Sequence, residues 1–379
     1  MHGSEHAAAP IDFGRSVPPL VPELGAALAV TLREIAAVHD GGIILRRAGA
    51  GTERDRTAGA SWLAERLGSR VAPDRVVIAN GTQTLLRLLF EALARPATVL
   101  AEALSYGVIK EVARLSRVHL VAVAVDDEGL IPQALDEMAE RSGARLLYCN
   151  PTAQNPTTAV MPASRRSHIG EIARRRGLTI IEDDVLGPLQ PDAAAPIAAT
   201  HPDVTWYLQS TAKALAHGMR VAYAVGPSTA AVLEVTTFVH GLSFWVPAPL
   251  ALEVVTRFVE AGHAAQVCAA IRREAAAREA LARRLLGRFG VATKPGSLHA
   301  WLPTGPVSGS EFTRAAAAGG ILVRAGRDFA VSDDAPDIPY IRLSLSSPLT
   351  AAQVERGLMQ LADQLGSSKH AAPKEILRR

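Results

Sequence analysis

Cysteine is nearly missing from this chain. Only Cys149 and Cys268 occur, so no disulfide framework is available and a reducing compartment is the expected setting. The first nine residues contain no basic stretch followed by an apolar one, and no apolar run is long enough to cross a membrane. A cytoplasmic protein without a membrane partner is expected. Aromatic residues make up only 4% of the chain. The basic runs Arg174–Arg176 and Arg272-Arg273 have no aromatics among them, so they read as solvated helix faces and no nucleic-acid partner is expected. Neither sign of charge dominates, with 40 basic against 37 acidic residues and a formal net charge of +3. There is no His-Glu-x-x-His, no Cys-x-x-Cys, no Gly-x-x-x-x-Gly-Lys-Ser/Thr and no Gly-x-Ser-x-Gly. Those absences remove the usual metal, P-loop and nucleophile-elbow chemistries, and no metal site is expected.

What remains is a chain of 379 residues, 48% hydrophobic and 20% charged, enough for one large or two moderate domains. Residues 1–9 read as a tail, and 10–22, with four prolines, as an extended arm. Helical periodicity runs from Glu23 to Val38, and the glycine-rich 40–56 reads as a loop. From there short apolar strands alternate with helices: Val76–Ala79, Val99–Ala101, His119–Val125, Arg145–Cys149, Leu178–Ile181, Trp206–Gln209 and Val221–Val225. That alternation predicts an α/β domain with a mostly parallel sheet covered on both faces. Beyond it, 228–240 and 249–289 read as helical, followed by a smaller α+β region completed by the N-terminal segment. The boundaries drawn are 1–9 (tail), 10–44 (arm), 45–255 (large domain), 256–366 (small domain) and 367–379 (tail).

In doubly wound sheets, ligands sit at the carboxyl ends of the strands, and the polar residues there form a set. The stretch Ser210-Thr-Ala-Lys213-Ala-Leu-Ala-His-Gly218-Met-Arg220 places a lysine on a loop between two buried strands. A desolvated lysine is a nucleophile whose commonest covalent use is a Schiff base, and Ser210 and Arg220 are suited to a phosphate. A lone lysine on a surface loop would carry no such meaning. Gly81-Thr82-Gln83 opens a helix, where backbone N–H groups favour a phosphate, although Gly-Thr there also serves as an ordinary cap. Tyr106 is placed to stack on a ring, or simply to pack. Asn155, between two Asn-Pro turns, presents an amide with donor and acceptor. Glu182-Asp183-Asp184 closes a strand with three carboxylates. Glu182 and Asp184 read as capping the next element or facing water, and one of the three, if buried against a pyridinium N–H, would be held as the anion.

Asn155-Pro-Thr-Thr, Ile180-Ile-Glu-Asp183-Asp, Ser210-x-x-Lys213 and Gly218-x-Arg220, in this order and with these gaps, resemble the fold-type I pyridoxal-phosphate enzymes. The resemblance is to class I/II aminotransferases, and most closely to the aminotransferase-like domain of the MocR/GntR group, over about residues 10–365. It implies an α/β fold with a large, mostly parallel, seven-stranded-type sheet domain and a smaller α+β domain. With no room ahead of it for a winged helix, it implies a free-standing, homodimeric enzyme with pyridoxal 5′-phosphate as cofactor. The reaction implied moves an amino group between an α-amino acid and a 2-oxo acid. Lys213 would form the Schiff base and move the proton. Asp183 would pair with the ring nitrogen, Asn155 with the ring O3′, and Tyr106 would stack on the ring. Gly81, Thr82, Gln83, Ser210 and Arg220 would hold the phosphate, and Arg342 the substrate α-carboxylate, with Asn155 nearby.

Two departures stand out: Leu186 occupies the position where the family usually has a tyrosine donating to O3′, and Arg46 and Arg47 lie where an aromatic from a partner subunit is common. The first leaves β-elimination, racemisation and decarboxylation open beside transamination. A sensor that binds the cofactor without turnover is a further alternative. A Ser-x-x-Lys acyl enzyme is disfavoured, because Ser210 ends a strand and no Ser-Asp-Asn or Lys-Thr-Gly follows. Trp245 and Phe244 read as packing residues, with the pocket wall or a dimer seam as alternatives, and His217 as structural.

Overall fold

The computed structural model describes residues 9–38, 41–45, 51–94, 96–237, 239–347 and 350–367; Arg46 and Arg47 lie outside them. The apolar runs form one seven-stranded sheet, labelled here in chain order: β1 (Val76–Ala79), β2 (Thr98–Glu102), β3 (His119–Val123), β4 (Leu146–Cys149), β5 (Thr179–Asp183), β6 (Thr205–Ser210) and β7 (Ala222–Val225). Their spatial order is β1-β7-β6-β5-β4-β2-β3. Neighbours are parallel except β7, which runs antiparallel to both β1 and β6.

Helices cover both faces, which is why the strands are apolar throughout rather than alternating. Successive residues therefore enter different cores. Ile180 packs with the helices Pro132–Ser142 and Ala163–Arg176, while Ile181 faces the side of the helix Thr82–Leu93. The order reverses between β2 and β4: β3 lies outward of β2, and β4 returns to its other side. A crevice opens at such a reversal, outside the strand carboxyl ends. Tyr106 follows β2 there and Asn155 follows β4.

A smaller antiparallel sheet contains β8 (His299–Pro303), β9 (Arg324–Ala325) and β10 (Tyr340–Ser344), in the order β8-β10-β9. The N-terminal arm is stitched to the same region. Ile11–Asp12 pairs in parallel with Ile321–Leu322, and buried Phe13 shares a core with Leu302, Ile341, Leu343 and Leu358. Residues 14–17 then cross to the crevice, and the helix Pro22–Val38 follows.

Two expectations need correction. The stretch 40–56 is not all loop: it contains the helical turn Gly42–Leu45, and the next helix, Glu53–Leu67, starts at Glu53. Its start is fixed by a capping box in which the Thr52 hydroxyl accepts from Asp55 N and the Asp55 carboxylate accepts from Thr52 N. The stretch 249–289 is two helices, Pro249–Glu260 and His263–Leu286. Gly262 separates them with φ +75°, a conformation that side-chain-bearing residues avoid. None of the described helices is long and apolar enough to cross a membrane.

Candidate active site

Nine of the ten residues singled out from the sequence line one cavity of about 390 Å³: Thr82, Gln83, Tyr106, Asn155, Asp183, Ser210, Lys213, Arg220 and Arg342. Gly81 stands just behind it.

Lys213 sits on the short helical turn Thr211–Ala214, directly after β6. Ser210 ends the strand and caps that turn, its hydroxyl accepting from Ala212 N at 3.1 Å. The amine donates to the backbone carbonyl of Ser16 on the arm. Burial, and then the nearby Arg342, push the amine down to about 8; Asp183 pulls the other way, and Arg220 adds a smaller push down. Desolvation penalises the charged form, and a like charge adds to that penalty.

Asp183 closes β5. Its Oδ2 accepts from the Tyr148 hydroxyl at 2.8 Å, and its backbone carbonyl accepts from the Asn150 amide. Burial raises its carboxyl to about 6, opposed by the Tyr148 bond and by Lys213. The other oxygen, Oδ1, is buried with no partner among the described residues. A buried acceptor without a donor costs on the order of 1–3 kcal/mol, so this atom points to a ligand donor.

At one end of the cavity the helix Thr82–Leu93 presents its N-terminus, with Thr82 and Gln83 among the lining residues. Gly81 adopts φ +87° ahead of the helix Thr82–Leu93, and a Cβ there would lie 2.9 Å from the Arg220 Nη2. The positive φ favours glycine, and the guanidinium lies close to the helix N-terminus, whose first-turn N–H groups lack helical partners. Arg220 itself takes a left-handed conformation, φ +53°. Next to this end, Gln83 donates to the Tyr106 hydroxyl at 2.9 Å.

Arg342 projects from β10. Its Nη1 donates to Asn155 Oδ1 at 3.2 Å and its Nη2 to the Gly14 carbonyl at 2.6 Å. Burial lowers the guanidinium to about 10, and its Nε is buried without a partner among the described residues. A carboxylate is the ligand whose geometry suits this fork.

Glu182 and Asp184 do not face water; both are fully buried. Glu182 accepts from Ile197 N and Ala198 N at 2.9 Å each and pairs with buried Arg166 at 3.4 Å. Asp184 accepts from the Tyr207 hydroxyl at 2.8 Å and from Arg66 Nε at 3.1 Å. Arg166 also donates to the carbonyls of Pro151 and Met161 and to the Thr152 hydroxyl, so it pins the loop that carries Asn155. Arg166→Met leaves Glu182 uncompensated. Removing one partner of a buried pair costs about 3–5 kcal/mol, so a clearly lowered denaturant midpoint is expected. An unchanged midpoint would show that the pair is dispensable.

Three neighbours of the site carry no local signal in the sequence. Tyr148 holds the aspartate. His299 lines the cavity, its Nε2 on the Gln154 carbonyl at 3.0 Å, and burial pushes it down to about 3. The third is the arm backbone at Gly14 and Ser16. His217, read as structural, also lines the cavity. Trp245 is a packing residue, buried with its indole donating to the Val239 carbonyl at 3.0 Å. Phe244 is instead exposed, with the Arg87 guanidinium 5.8 Å from its ring. Val185 and Leu186 make the wall beside Asp183 apolar where the family resemblance implies a phenol.

Residues 50–361 match the family model described as aminotransferase class I and II. The chain is 26% identical over 301 residues to the uncharacterized HTH-type transcriptional regulator YdeF of Bacillus subtilis (strain 168), covering 79% of this chain and 64% of that protein. It is 35% identical over 173 residues to a 2-aminoadipate transaminase of Thermus thermophilus, covering 44% and 43%. The chain thus spans less than two thirds of the length of either relative. Among solved structures, it superposes with a TM-score of 0.82 on an alpha-aminoadipate aminotransferase, also from Thermus thermophilus, complexed with N-(5′-phosphopyridoxyl)-L-leucine, at 24% identity over 94% of this chain and 92% of that one. This likeness establishes the shared fold.

Proposed function

The chain belongs to the aminotransferase class I and II family, and from that premise we propose that it moves an amino group between an α-amino acid and a 2-oxo acid. Pyridoxal 5′-phosphate is the cofactor. The observation that carries this reading is a single cavity holding an amine with its pKa lowered (Lys213), a buried carboxylate oxygen without a donor (Asp183 Oδ1) and a glycine-guanidinium cradle at a helix N-terminus (Gly81 and Arg220). Each matches one part of the cofactor: aldehyde, ring nitrogen and phosphate.

When bound, the cofactor supplies an electron-accepting ring that stabilises charge left on the substrate α-carbon. Asp183 would hold a proton on the ring nitrogen through Oδ1, with Oδ2 anchored by Tyr148. Gly81, Thr82, Gln83, Ser210 and Arg220 would hold the phosphate, and Tyr106 would stack on the ring. Asn155 has its Oδ1 taken up by Arg342, which leaves its Nδ2 as donor to the ring O3′. Arg342 exchanges the Gly14 carbonyl for the substrate carboxylate and so orients the α-carbon. Lys213 Nζ, the one lysine amine lining the cavity among the described residues, would take the proton from that carbon and return it. The same reading assigns 45–255 to the cofactor-binding unit, and 256–366 with 10–44 to the smaller one. It makes the protein a homodimer, supported by the exposed apolar side chains of Leu20, Leu242, Phe244 and Leu250.

A second reading, a sensor without turnover, is favoured by the regulator among the relatives; the joint presence of Lys213, Asp183 and Arg342 supports turnover instead. An absorbance scan of purified protein with a screen of amino donors separates them. An enzyme shows the cofactor band, loses it with at least one amino acid while releasing one equivalent of the matching 2-oxo acid per site, and turns over beyond that only when an acceptor is supplied. A cofactor band that no amino acid alters would overturn the enzyme reading, and release of many equivalents of oxo acid with ammonia and without an acceptor would mean elimination chemistry.

A further inference from the structure

The roles just assigned leave two cations of the cavity unused, Arg15 and Arg324, both of which line it. Among the described residues, five cationic side chains (Arg15, Lys213, Arg220, Arg324 and Arg342) thus line the cavity with one carboxylate, Asp183. A phosphate and one carboxylate account for Arg220 and Arg342, and Lys213 is consumed by the cofactor. Positive charge is left over at the mouth.

The crowding is sharpest on the small sheet. Arg324 and Arg342 are register partners across β9 and β10, so their side chains leave the same face of the sheet at closest spacing. Their guanidinium groups lie 5.9 and 5.0 Å from the centre of the same Phe329 ring. Like charges directly opposite each other destabilise a sheet. Asp328 relieves this in part, accepting from Arg324 Nε at 2.8 Å in a half-exposed pair. The terminal amino groups of Arg324, and the whole guanidinium of Arg15, have no hydrogen-bond or ion-pair partner among the described residues. Gly14 links the three arginines. Its carbonyl accepts from Arg342, a Cβ on it would stand 4.0 Å from Arg324 Cδ, and Arg15 follows it in the chain.

We infer that the amino donor carries a second negatively charged group on its side chain, received by Arg324 with Arg15 at the mouth while Arg342 holds the α-carboxylate. The substrate class is an α-amino acid with an acidic side chain, paired with an oxo acid of the same charge. The inference rests on the aminotransferase reading for its donor, and on the arginine cluster for its charge. A dianion lying between Arg324 and Arg342 converts their repulsion into two charge-assisted bonds, whereas a neutral side chain leaves the terminal amino groups of Arg324 without a partner.

Calorimetric titration of the cofactor-free and cofactor-loaded protein with short linear dicarboxylic acids, and with monocarboxylic acids of equal length, tests it. The dicarboxylate is expected to bind roughly 10- to 100-fold more tightly, the range of a charge-assisted hydrogen bond. Arg324→Gln should erase that preference, Arg324→Lys should keep part of it, and Asp328→Asn, which frees the Arg324 Nε, should enlarge it. Arg324 is half-exposed, so folding should survive, and Arg15→Gln gives an independent second variant. No preference in the wild type, or an undiminished one in Arg324→Gln, overturns the inference. A protein that shows the preference but transaminates nothing refutes the enzyme reading and leaves the anion site standing. One that transaminates neutral donors with kcat/KM unaffected by Arg324→Gln refutes the acidic donor and leaves the enzyme.

Discussion

Lys213→Ala is expected to lower transamination by at least about 10⁴-fold, the upper range for removing a positioned proton-transfer group, with loss of the covalent link added. The cofactor should still associate, because the cradle of Gly81, Thr82, Gln83, Ser210 and Arg220 and the Asp183 carboxylate are untouched. Borohydride reduction should then label no peptide, whereas in the wild type it marks the peptide containing residue 213. A small primary amine added to the variant should restore part of the rate, since the truncated side chain leaves room in a cavity of about 390 Å³. Cofactor attachment in the wild type should also depend on pH. With the amine at about 8, about one tenth is unprotonated at pH 7. The attachment rate therefore rises about tenfold per pH unit below 8 and levels off above it. A variant with turnover within tenfold of wild type would remove Lys213 from the mechanism.

The strands and the cavity residues at their ends were legible because their signals are local: short apolar runs bounded by polar turns, each followed by a helical segment. Residues whose roles depend on distant partners were not. Glu182 and Asp184 read as caps or solvated carboxylates because nothing adjacent neutralises them; Glu182 does cap the helix Ile197–Thr200, but neither faces water. Their counter-ions are Arg166, from the preceding helix, and Arg66, 118 residues upstream. Tyr148 alternates into one face of β4, and only the β4–β5 register brings it beside Asp183. The carbonyls of Gly14 and Ser16 carry no side-chain signature at all, yet they occupy Arg342 and Lys213. The helix start at Glu53 was legible in principle through Thr52-x-x-Asp55, but the surrounding glycines suggested a continuous loop.

Tyr148 and the unpartnered oxygen of Asp183 lead to the second large effect. Asp183→Asn should reduce turnover by about 10²–10⁴-fold with the cofactor still bound. At pH 7 the native carboxyl, at about 6, is mainly an anion and favours a protonated ring nitrogen. An amide has no charge to do so. With its oxygen on the Tyr148 hydroxyl, it turns an N–H toward the ring and favours the unprotonated nitrogen. Each unit by which the ring pKa falls is worth about 1.4 kcal/mol, and the ring loses its capacity as an electron sink accordingly. Tyr148→Phe acts on the same group through one fewer donor. Losing a hydrogen bond to the carboxylate raises its pKa, so the acid limb of the pH–rate profile should move up from about 6, while the rate at the plateau changes far less than in Asp183→Asn. Stopped-flow turnover and cofactor absorbance across pH check both variants. Near-normal turnover in Asp183→Asn, or an acid limb in Tyr148→Phe that stays put or moves down, would mean that this carboxylate does not control the ring nitrogen.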